Sequence, residues 1–252
     1  MFLDRPCDPS DERNYYAHHI ADRTGHFPAR RDFEQEYLRQ RPALDALCRF
    51  LPTGKPLRIL DVGCGTGFLL WHLRGLGHLP QGIDLDENAV AFVREELQIK
   101  AECKTIEEVA GDEPFDAVTM TDVLEHLPGP LESLRRARGL LCPGGLLLVK
   151  VPNWNIGRFY VWRAKLRGAL VPNLHVQREH LTYFAPGTLR RMLSEAGFAN
   201  VLVYPARSSY PGDLVPGGAS GRTFGLLQTS AMAISHLLPA ALTCTPCLLG
   251  TG

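Results

Sequence analysis

The chain has 252 residues, in which 27 Lys and Arg are balanced by 27 Asp and Glu, so its formal net charge is zero. A neutral chain has no overall field to recruit nucleic acid or an anionic membrane, which leaves only local patches for such contacts. The length is sufficient for a substantial core and favours one domain with added segments over two domains.

The N-terminus and the cysteines point to the same compartment. The first twenty residues contain no long apolar stretch after basic residues, which argues against a secretory signal and predicts a cytoplasmic protein. The seven cysteines are scattered and odd in number, so they do not form a disulfide framework. Four of them fall in periodic apolar segments and are expected to be reduced core residues: Cys48, Cys64, Cys103 and Cys142.

From residue 31 onward, helical and strand patterns alternate. Residues 31–51 have helical spacing interrupted by Pro42, and the strand pattern KPLRILDVG follows. Six more segments continue the alternation: helix TGFLLWHLRGLG, strand LPQGIDLD, helix ENAVAFVREEL, strand FDAVTMTDV, helix PLESLRRARGLL and strand GGLLLVKVP. Strands joined by helices of this length predict right-handed crossovers and a doubly wound, mostly parallel α/β sheet.

The segment 153–185 interrupts this rhythm with aromatic and basic residues, after which PGTLRRMLSEAGF restores a helix and ANVLVYPA a strand. We interpret the interruption as a lid. The sequence therefore predicts a helical N-terminal lid segment over 1–55, a core over 56–207 with the insertion 153–185, and an apolar C-terminal tail over 208–252.

The end of this tail has an unusual composition. Residues 223–252 contain no Asp, Glu, Lys or Arg, yet Pro239 and Pro246 argue against a clean membrane span. An amphipathic helix or a loosely ordered tail is favoured over a transmembrane segment.

The run ILDVGCGTGFLL at 59–70 places Gly63, Gly65 and Gly67 after an acid, Asp61. A loop between a strand and a helix presents backbone N–H groups to a ligand, and glycine permits its close approach. The spacing G-x-G-x-G differs from the G-x-G-x-x-G of dinucleotide sites. A carboxylate at Asp61 repels a pyrophosphate but suits a ligand that carries an ammonium and a sulfonium, which is the charge pattern of S-adenosylmethionine.

The next predicted strand ends in a second acid. In GIDLD, the Asp84 carboxylate can accept hydrogen bonds from both hydroxyls of a ribose, as acids do at this position of doubly wound folds. Asp86 precedes ENAV and is the better candidate for the cap of the following helix. We therefore assign the ribose role to Asp84 and the cap to Asp86.

Five motifs resemble, in this order, those of class I S-adenosylmethionine-dependent methyltransferases: ILDVGCGTG, GIDLD, FDAVTMTDVLEHLPGP, LLCPGGLLLVKVPN and EHLTYFAPGTLRRMLSEAGF. The likeness covers about residues 55–205 and is strongest to the branch that includes ubiquinone-biosynthesis O-methyltransferases. It implies a Rossmann-like methyltransferase fold and methyl transfer to a small molecule, with oxygen as the favoured acceptor atom. The alternatives are an NAD-dependent oxidoreductase and a non-catalytic scaffold that binds S-adenosylmethionine.

The resemblance also implies which residues bind the cofactor. They are Asp61, Gly63, Cys64, Gly65 and Gly67 around its methionine half, Asp84 and Leu85 at the ribose, Thr105 and Ile106 at the adenine, and Thr121 and Asp122 facing both cofactor and substrate. The family usually ends in an antiparallel hairpin that contains a seventh strand. Because TCTPCLLGTG stops early, that strand is expected to be missing or short.

Histidines are the candidates for acid–base chemistry. His126 follows the fourth strand, on the rim where open α/β sheets bind ligands, and His180 and His175 lie in the lid. We predict catalytic roles for His126 and His180. DVLEH spaces Asp122, Glu125 and His126 as D-x-x-E-H, which resembles the E-x-x-E-H that binds a divalent ion, with a downstream histidine, in small-RNA ribose methyltransferases.

The role of this acidic and imidazole group is left open among three alternatives. The ligand types suit magnesium, manganese or zinc, but the shorter Asp122 side chain makes a metal the less favoured alternative. Glu125 and His126 can instead form an oriented base pair, or a network at a helix start. The metal ligands therefore stay unassigned.

Aromatic and basic residues suggest the partners. Seven aromatic side chains are candidates for the wall of an acceptor pocket or, equally, for anchoring the lid to the core: Tyr15, Tyr16, Trp154, Tyr160, Trp162, Tyr183 and Phe184. The basic and aromatic segment 157–168 and the tail 223–252 are candidates for peripheral membrane contact, although a solvated helix face is favoured for the first. A small-molecule substrate is expected, nucleic acid is not favoured, and the oligomeric state is left open.

Overall fold

The computed structural model of the chain describes residues 43, 46–52, 54–155, 180–206 and 247–251. The strands are β1 (Arg58–Val62), β2 (Leu79–Asp84), β3 (Lys100–Cys103), β4 (Phe115–Thr121), β5 (Leu141–Pro152), β6 (Leu202–Ala206) and β7 (Cys247–Thr251). The helices are α1 (Phe68–Gly75), α2 (Glu87–Glu95), α3 (Pro130–Leu140) and α4 (Pro186–Glu195), with a 3₁₀ turn at Leu124–His126. Residues 46–50 are also helical.

The strands form one sheet in the order β3-β2-β1-β4-β5-β7-β6. The first five run parallel, and β7 pairs antiparallel with both β5 and β6. The chain moves outward from β1 to β3 and then crosses to β4 on the other side of β1. The carboxyl ends of β1 and β4 therefore flank the switch point, where ligands bind in open α/β sheets.

Apolar side chains cover both faces of this sheet. One face packs Ile59, Ala117 and Leu148 with residues of α1 and with Leu47, which precedes β1. On the other face, the strand residues pack with the buried sides of α3 and α4 in the largest core cluster. Helices on both faces of a mainly parallel sheet confirm the predicted doubly wound α/β fold.

The seventh strand is present, as the short segment β7. It inserts between β5 and β6, with Val149 opposite Gly250 and Val203 opposite the same glycine on the other side. The segment 208–252, which the sequence set apart as a tail, therefore returns to the sheet. Most of that tail, most of the N-terminal segment 1–55 and most of the insertion 153–185 lie outside the described residues.

The cysteine prediction was wrong at two positions. Cys64 is buried, but Cys48 and Cys103 are exposed and Cys142 is intermediate. Apolar periodicity places a residue within an element but does not show how much of its side chain the neighbouring elements cover. Among the described residues, no helix has the length and apolar character needed to cross a membrane.

Candidate active site

The glycine loop joins β1 to α1, and the reason for a glycine differs among its three positions. All have positive φ, at 68°, 51° and 78° for Gly63, Gly65 and Gly67. A Cβ at Gly63 would lie 2.3 Å from a methyl of Val123, and one at Gly67 would lie 2.7 Å from Val93. A Cβ at Gly65 would meet no atom within 4 Å, so this glycine opens onto free space. Gly65 is therefore the position at which a ligand can approach the backbone.

The N–H groups of the loop are largely used within the protein. Gly63 and Cys64 both donate to the carbonyl of Ile83, at 2.8 and 3.0 Å, and Gly67 donates to the carbonyl of Cys64 at 2.9 Å. Gly65 donates to Asp84 Oδ2 at 2.7 Å. The expectation that this loop aims its N–H groups at the ligand was therefore wrong for these four. Such a loop does not build the anion cradle that a pyrophosphate needs.

Gly82, in β2, explains how the loop packs onto the sheet and was not predicted from the sequence. A Cβ there would lie 2.6 Å from Cys64 Sγ and 2.7 Å from Leu70. Burial raises the pKa of the Cys64 thiol well above its ordinary value. The Cys64 side chain is therefore neutral and packs between the loop and the sheet. Glycine in the middle of a strand was the available clue.

Asp61 is a buried carboxylate, 2% exposed, near the end of β1. Its Oδ1 accepts a hydrogen bond of 2.6 Å from the hydroxyl of Thr119, on β4. Burial raises its pKa to about 7, against the lowering effect of the Thr119 hydrogen bond, and the charge of Asp84 adds to the increase. A cationic group of a ligand would favour the ionised form, so the site is built to receive positive charge.

Asp84 closes the other side of the loop. Its Oδ2 accepts from the N–H of Gly65 and its Oδ1 from the N–H of Asp86, at 2.7 and 2.9 Å. Burial raises its pKa above the usual value. Each oxygen keeps a second lone pair, so the carboxylate fits the ribose role. Asp86 caps α2 by accepting from the N–H groups of Asn88 and Ala89, which confirms its predicted role.

The candidates for the adenine follow β3. The N–H of Thr105 donates to Glu108 Oε2 at 2.8 Å, which shapes the turn. Ile106 belongs to the main core and Leu85 is half-buried. Arg136, on α3, donates through Nε to the carbonyl of Ile106 at 3.4 Å, a tether that the sequence did not reveal.

The end of β4 carries the second half of the site. Thr121 is buried, and Asp122 has a φ of 58°, a conformation that Asn and Asp adopt more readily than most residues. The Asp122 N–H donates to the carbonyl of Lys150 at 2.9 Å. The Lys150 ammonium, whose side chain is 2% exposed, pairs with the Asp122 carboxylate. Lys150 was not predicted from the sequence, although a lysine inside an apolar strand was the visible clue.

Glu125, His126 and His180 converge beside this pair. One potential ligand atom from each lies within 4.8 Å of the others. The rings of His126 and His180 are 4.7 Å apart in a T-shaped arrangement. His180 is drawn in because Leu181 and Thr182 donate their N–H groups to the carbonyl of Glu125, at 2.8 and 3.1 Å.

The Glu125 carboxylate has an unusual environment. It is 1% exposed, and among the described residues neither of its oxygens has a hydrogen-bond partner. Burial, followed by the charge of Asp122, raises its pKa well above the ordinary value. A buried carboxylate without a partner is destabilising, so this group is suited to receive a cation or a proton.

Of the predicted aromatic wall, two members lie together. The rings of Trp154 and Tyr183 are 4.5 Å apart, and Tyr183 lies 6.0 Å from His180. Phe184 is only 1% exposed and belongs to the main core, which agrees with the alternative that some of these aromatics anchor the lid to the core. Tyr15, Tyr16, Tyr160, Trp162 and His175 lie outside the described residues.

Solved structures of similar fold define the class. A methyltransferase in complex with the Trm112 activator of Haloferax volcanii aligns with a TM-score of 0.64 at 17% identity, over 96% of this chain and 95% of that one. Magnesium protoporphyrin IX methyltransferase from Synechocystis PCC 6803, with bound S-adenosylhomocysteine, gives a TM-score of 0.57 at 19% identity, over 78% and 93%. The fold is thus the Rossmann-like fold of S-adenosylmethionine-dependent methyltransferases.

Sequence comparison gives the family. A model described as a methyltransferase domain matches residues 35–203, and the chain belongs to this family. A ubiquinone biosynthesis O-methyltransferase of Thiobacillus denitrificans is 31% identical over 167 residues, which cover 59% of this chain and 68% of that protein. One of Xanthomonas campestris pv. campestris is 38% identical over 103 residues, or 43% of its own length. The protein is an S-adenosylmethionine-dependent methyltransferase.

Proposed function

We propose that the protein transfers the methyl group of S-adenosylmethionine to an oxygen of a small-molecule acceptor. The observation that carries this proposal is the position of the Glu125, His126 and His180 cluster directly beyond β4, two residues from the side chain that packs on Gly63. Likeness to relatives named for O-methylation supports oxygen as the acceptor atom. A small-molecule role is compatible with the cytoplasmic location that the sequence predicts.

When bound, S-adenosylmethionine supplies a methyl group that its sulfonium already activates. The chain therefore needs to position the acceptor, remove its hydroxyl proton and exclude water. Asp61 faces the positive end of the methionine half and becomes ionised there. Asp84 accepts the ribose hydroxyls, and Gly65 leaves room for the ligand beside the backbone. The adenine lies against the turn of Thr105 and Ile106, near Leu85.

His126 and His180 act on the acceptor. An imidazole is the side chain best matched to removing a hydroxyl proton near neutral pH. Glu125, enclosed beside both rings, stabilises an imidazolium once one of them has taken that proton. Trp154 and Tyr183 form an apolar wall next to this base, which suits a flat or apolar acceptor.

A divalent cation is the second candidate for the role of this cluster, and one observation favours it. Both Glu125 oxygens are unpartnered among the described residues, and one potential ligand atom of Glu125 lies within 4.8 Å of one from each imidazole. Mixed carboxylate and imidazole ligands suit zinc or manganese. A cation there would fix the acceptor and lower the pKa of its hydroxyl.

Isotopic labelling tests the proposal. The purified protein is incubated with S-adenosylmethionine carrying a ¹³C-methyl group and with a small-molecule cell extract, and label is traced in the small-molecule, protein and nucleic-acid fractions. We expect label in the small-molecule fraction, with the ¹³C shift of a methyl on oxygen. Label confined to macromolecules, or a methyl on nitrogen, sulfur or carbon, would contradict the proposal.

A further inference from the structure

The turn that follows β3 is held by side chains of helix α3. Arg136 donates through Nε to the carbonyl of Ile106 at 3.4 Å and through Nη2 to the carbonyl of Val109. The hydroxyl of Ser133, which is 4% exposed, donates to Glu107 Oε1 at 2.8 Å. Ser133 and Arg136 are three residues apart and therefore lie on the same side of the helix. Together they attach the turn to α3.

The contacts of Arg136 are directed hydrogen bonds to buried backbone. Ile106 and Val109 are both almost completely buried, so loss of the guanidinium would remove a donor that the Val109 carbonyl cannot readily replace with water. The planar fork of a guanidinium can serve two carbonyls at once, which the single ammonium of a lysine does less well. The neighbouring Arg135 is different, because it pairs with Glu132 at 2.6 Å on the exposed side of α3.

The direction of the two carbonyls determines what the turn presents to a ligand. A peptide group is planar and trans, so its C=O and N–H point in opposite directions. A carbonyl drawn toward α3 therefore turns the next N–H away from α3, and this applies to the N–H groups of Glu107 and Ala110. A turn with fixed donors and acceptors selects a base by its hydrogen-bonding pattern, because a mismatched base leaves polar groups unpaired.

We propose that Arg136 is a positioning residue for the adenine of the cofactor and that, with Ser133, it makes this turn selective for adenine over hypoxanthine. The inference rests on the placement of the adenine proposed above. Adenine has an amino group at C6 and an acceptor at N1, whereas hypoxanthine has an oxygen at C6 and an N–H at N1. A fixed turn distinguishes these reversed patterns. A turn released from α3 rotates its peptide groups to fit either base.

Calorimetry on the full chain tests the proposal with S-adenosylhomocysteine and its hypoxanthine analogue, S-inosylhomocysteine. The measured quantity is the selectivity, which is the ratio of the two affinities. Arg136→Met removes the guanidinium but keeps most of the stem, Arg136→Lys keeps one donor group, and Ser133→Ala removes the second attachment. Arg135→Met, on the exposed side of the same helix, is the matched control. Circular-dichroism melting establishes that each variant folds.

We expect the parent to bind S-adenosylhomocysteine at least about thirtyfold more tightly than S-inosylhomocysteine. Arg136→Met should lower this selectivity about tenfold, chiefly through weaker binding of the adenine ligand. Ser133→Ala should lower it about threefold, and Arg136→Lys should fall between Arg136→Met and the parent. Arg135→Met should keep the parental selectivity within about twofold.

A purely structural role for Arg136 gives a different result, because a general loss of order weakens both ligands equally and leaves their ratio unchanged. That result, or a parent that binds both ligands equally well, would overturn the inference and leave the methyltransferase assignment standing. If Arg136→Met did not fold, Arg136→Lys with the selectivity of the Arg135→Met control would overturn it in the same way. A parent that bound neither ligand would contradict the proposed cofactor site as well.

Discussion

The two halves of the site differ in how their polar groups are satisfied. At the ends of β1 and β2, Asp61 accepts from Thr119 and Asp84 accepts from two backbone N–H groups. Beyond β4, both oxygens of Glu125 lack a partner among the described residues. The half that we propose binds the cofactor is therefore preorganised, whereas the half that we propose acts on the acceptor contains a carboxylate that gains stability only when a ligand, cation or proton arrives.

Alanine substitutions in the glycine loop should have the largest effects on stability and on cofactor binding. Gly63→Ala drives a Cβ into Val123 at a positive φ, so we expect a loss of about 2 to 4 kcal/mol in the free energy of unfolding. Gly65→Ala meets open space and should lose only about 1 kcal/mol while still abolishing S-adenosylhomocysteine binding. Denaturant unfolding and calorimetry separate the two effects. Equal stability of both variants would contradict the packing reason for Gly63.

Asp84→Ala should weaken S-adenosylhomocysteine binding by about 1.5 to 3 kcal/mol, because it removes charge-assisted contacts to the ribose. The matched control is Asp86→Ala, which removes the cap of α2 and should lower the free energy of unfolding by about 1 kcal/mol with little change in binding. Calorimetry on both proteins makes the comparison. A control that lost as much affinity as Asp84→Ala would move the ribose role away from Asp84.

The pH dependence of binding tests whether the ionised form of Asp61 binds the ligand ammonium. With a pKa of about 7 in the folded protein, this group is mostly protonated at pH 6 and mostly ionised at pH 8. Because the ligand ammonium favours the ionised form, S-adenosylhomocysteine should bind about tenfold more tightly at pH 8 than at pH 6. Asp61→Asn should bind weakly, with an affinity that does not change between these two values.

The same raised pKa affects stability in the opposite direction. A carboxyl group whose pKa is raised on folding favours the folded state at acid pH, and this stabilisation is lost as the pH rises from about 4 toward about 7. Without cofactor, Asp61→Asn should therefore gain stability relative to the parent as the pH increases. Thermal melting across this range provides the check.

The smallest expected effect concerns the acceptor half. Glu125→Met should raise the free energy of unfolding by about 1 kcal/mol at pH 8 in the presence of a chelator, because it removes a buried carboxylate without partners. Exposed Glu96→Met serves as the control and should change stability by less than about 0.5 kcal/mol. If Glu125→Met were destabilising under these conditions, the carboxylate would already be satisfied in the free protein.

Local features at the ends of β1 and β2 can be predicted from the sequence more readily than contacts between strands, for a physical reason. The glycine spacing, Asp84 and the Asp86 cap depend on neighbouring positions along the chain, so a local pattern reveals them. The Thr119 partner of Asp61 and the Lys150 partner of Asp122 come from other strands, 58 and 28 residues away. Only the register of β1, β4 and β5 brings them together.

Strand β7 illustrates the same limit. Five residues near the end of the chain pair with β5 and β6, but their own pattern is too short and too rich in small residues to predict a strand. The spacing D-x-x-E-H also suggested that Asp122 acts together with Glu125 and His126. Asp122 instead pairs with Lys150. Sequence spacing predicted that acidic and imidazole side chains gather at the end of β4. Contacts between strands determine which of these charged groups pair with one another.

The most direct test of the central claim follows methyl transfer into the acceptor found by labelling, with the parent, His126→Ala and His180→Ala, each with and without a chelator. We expect each histidine substitution to lower the transfer rate about a hundredfold or more while S-adenosylhomocysteine affinity stays within about threefold. Loss of activity with chelator and its recovery with one added ion would assign the cluster to a cation, and insensitivity to chelator would assign it to a base. Variants as active as the parent would contradict the claim that this cluster acts on the acceptor.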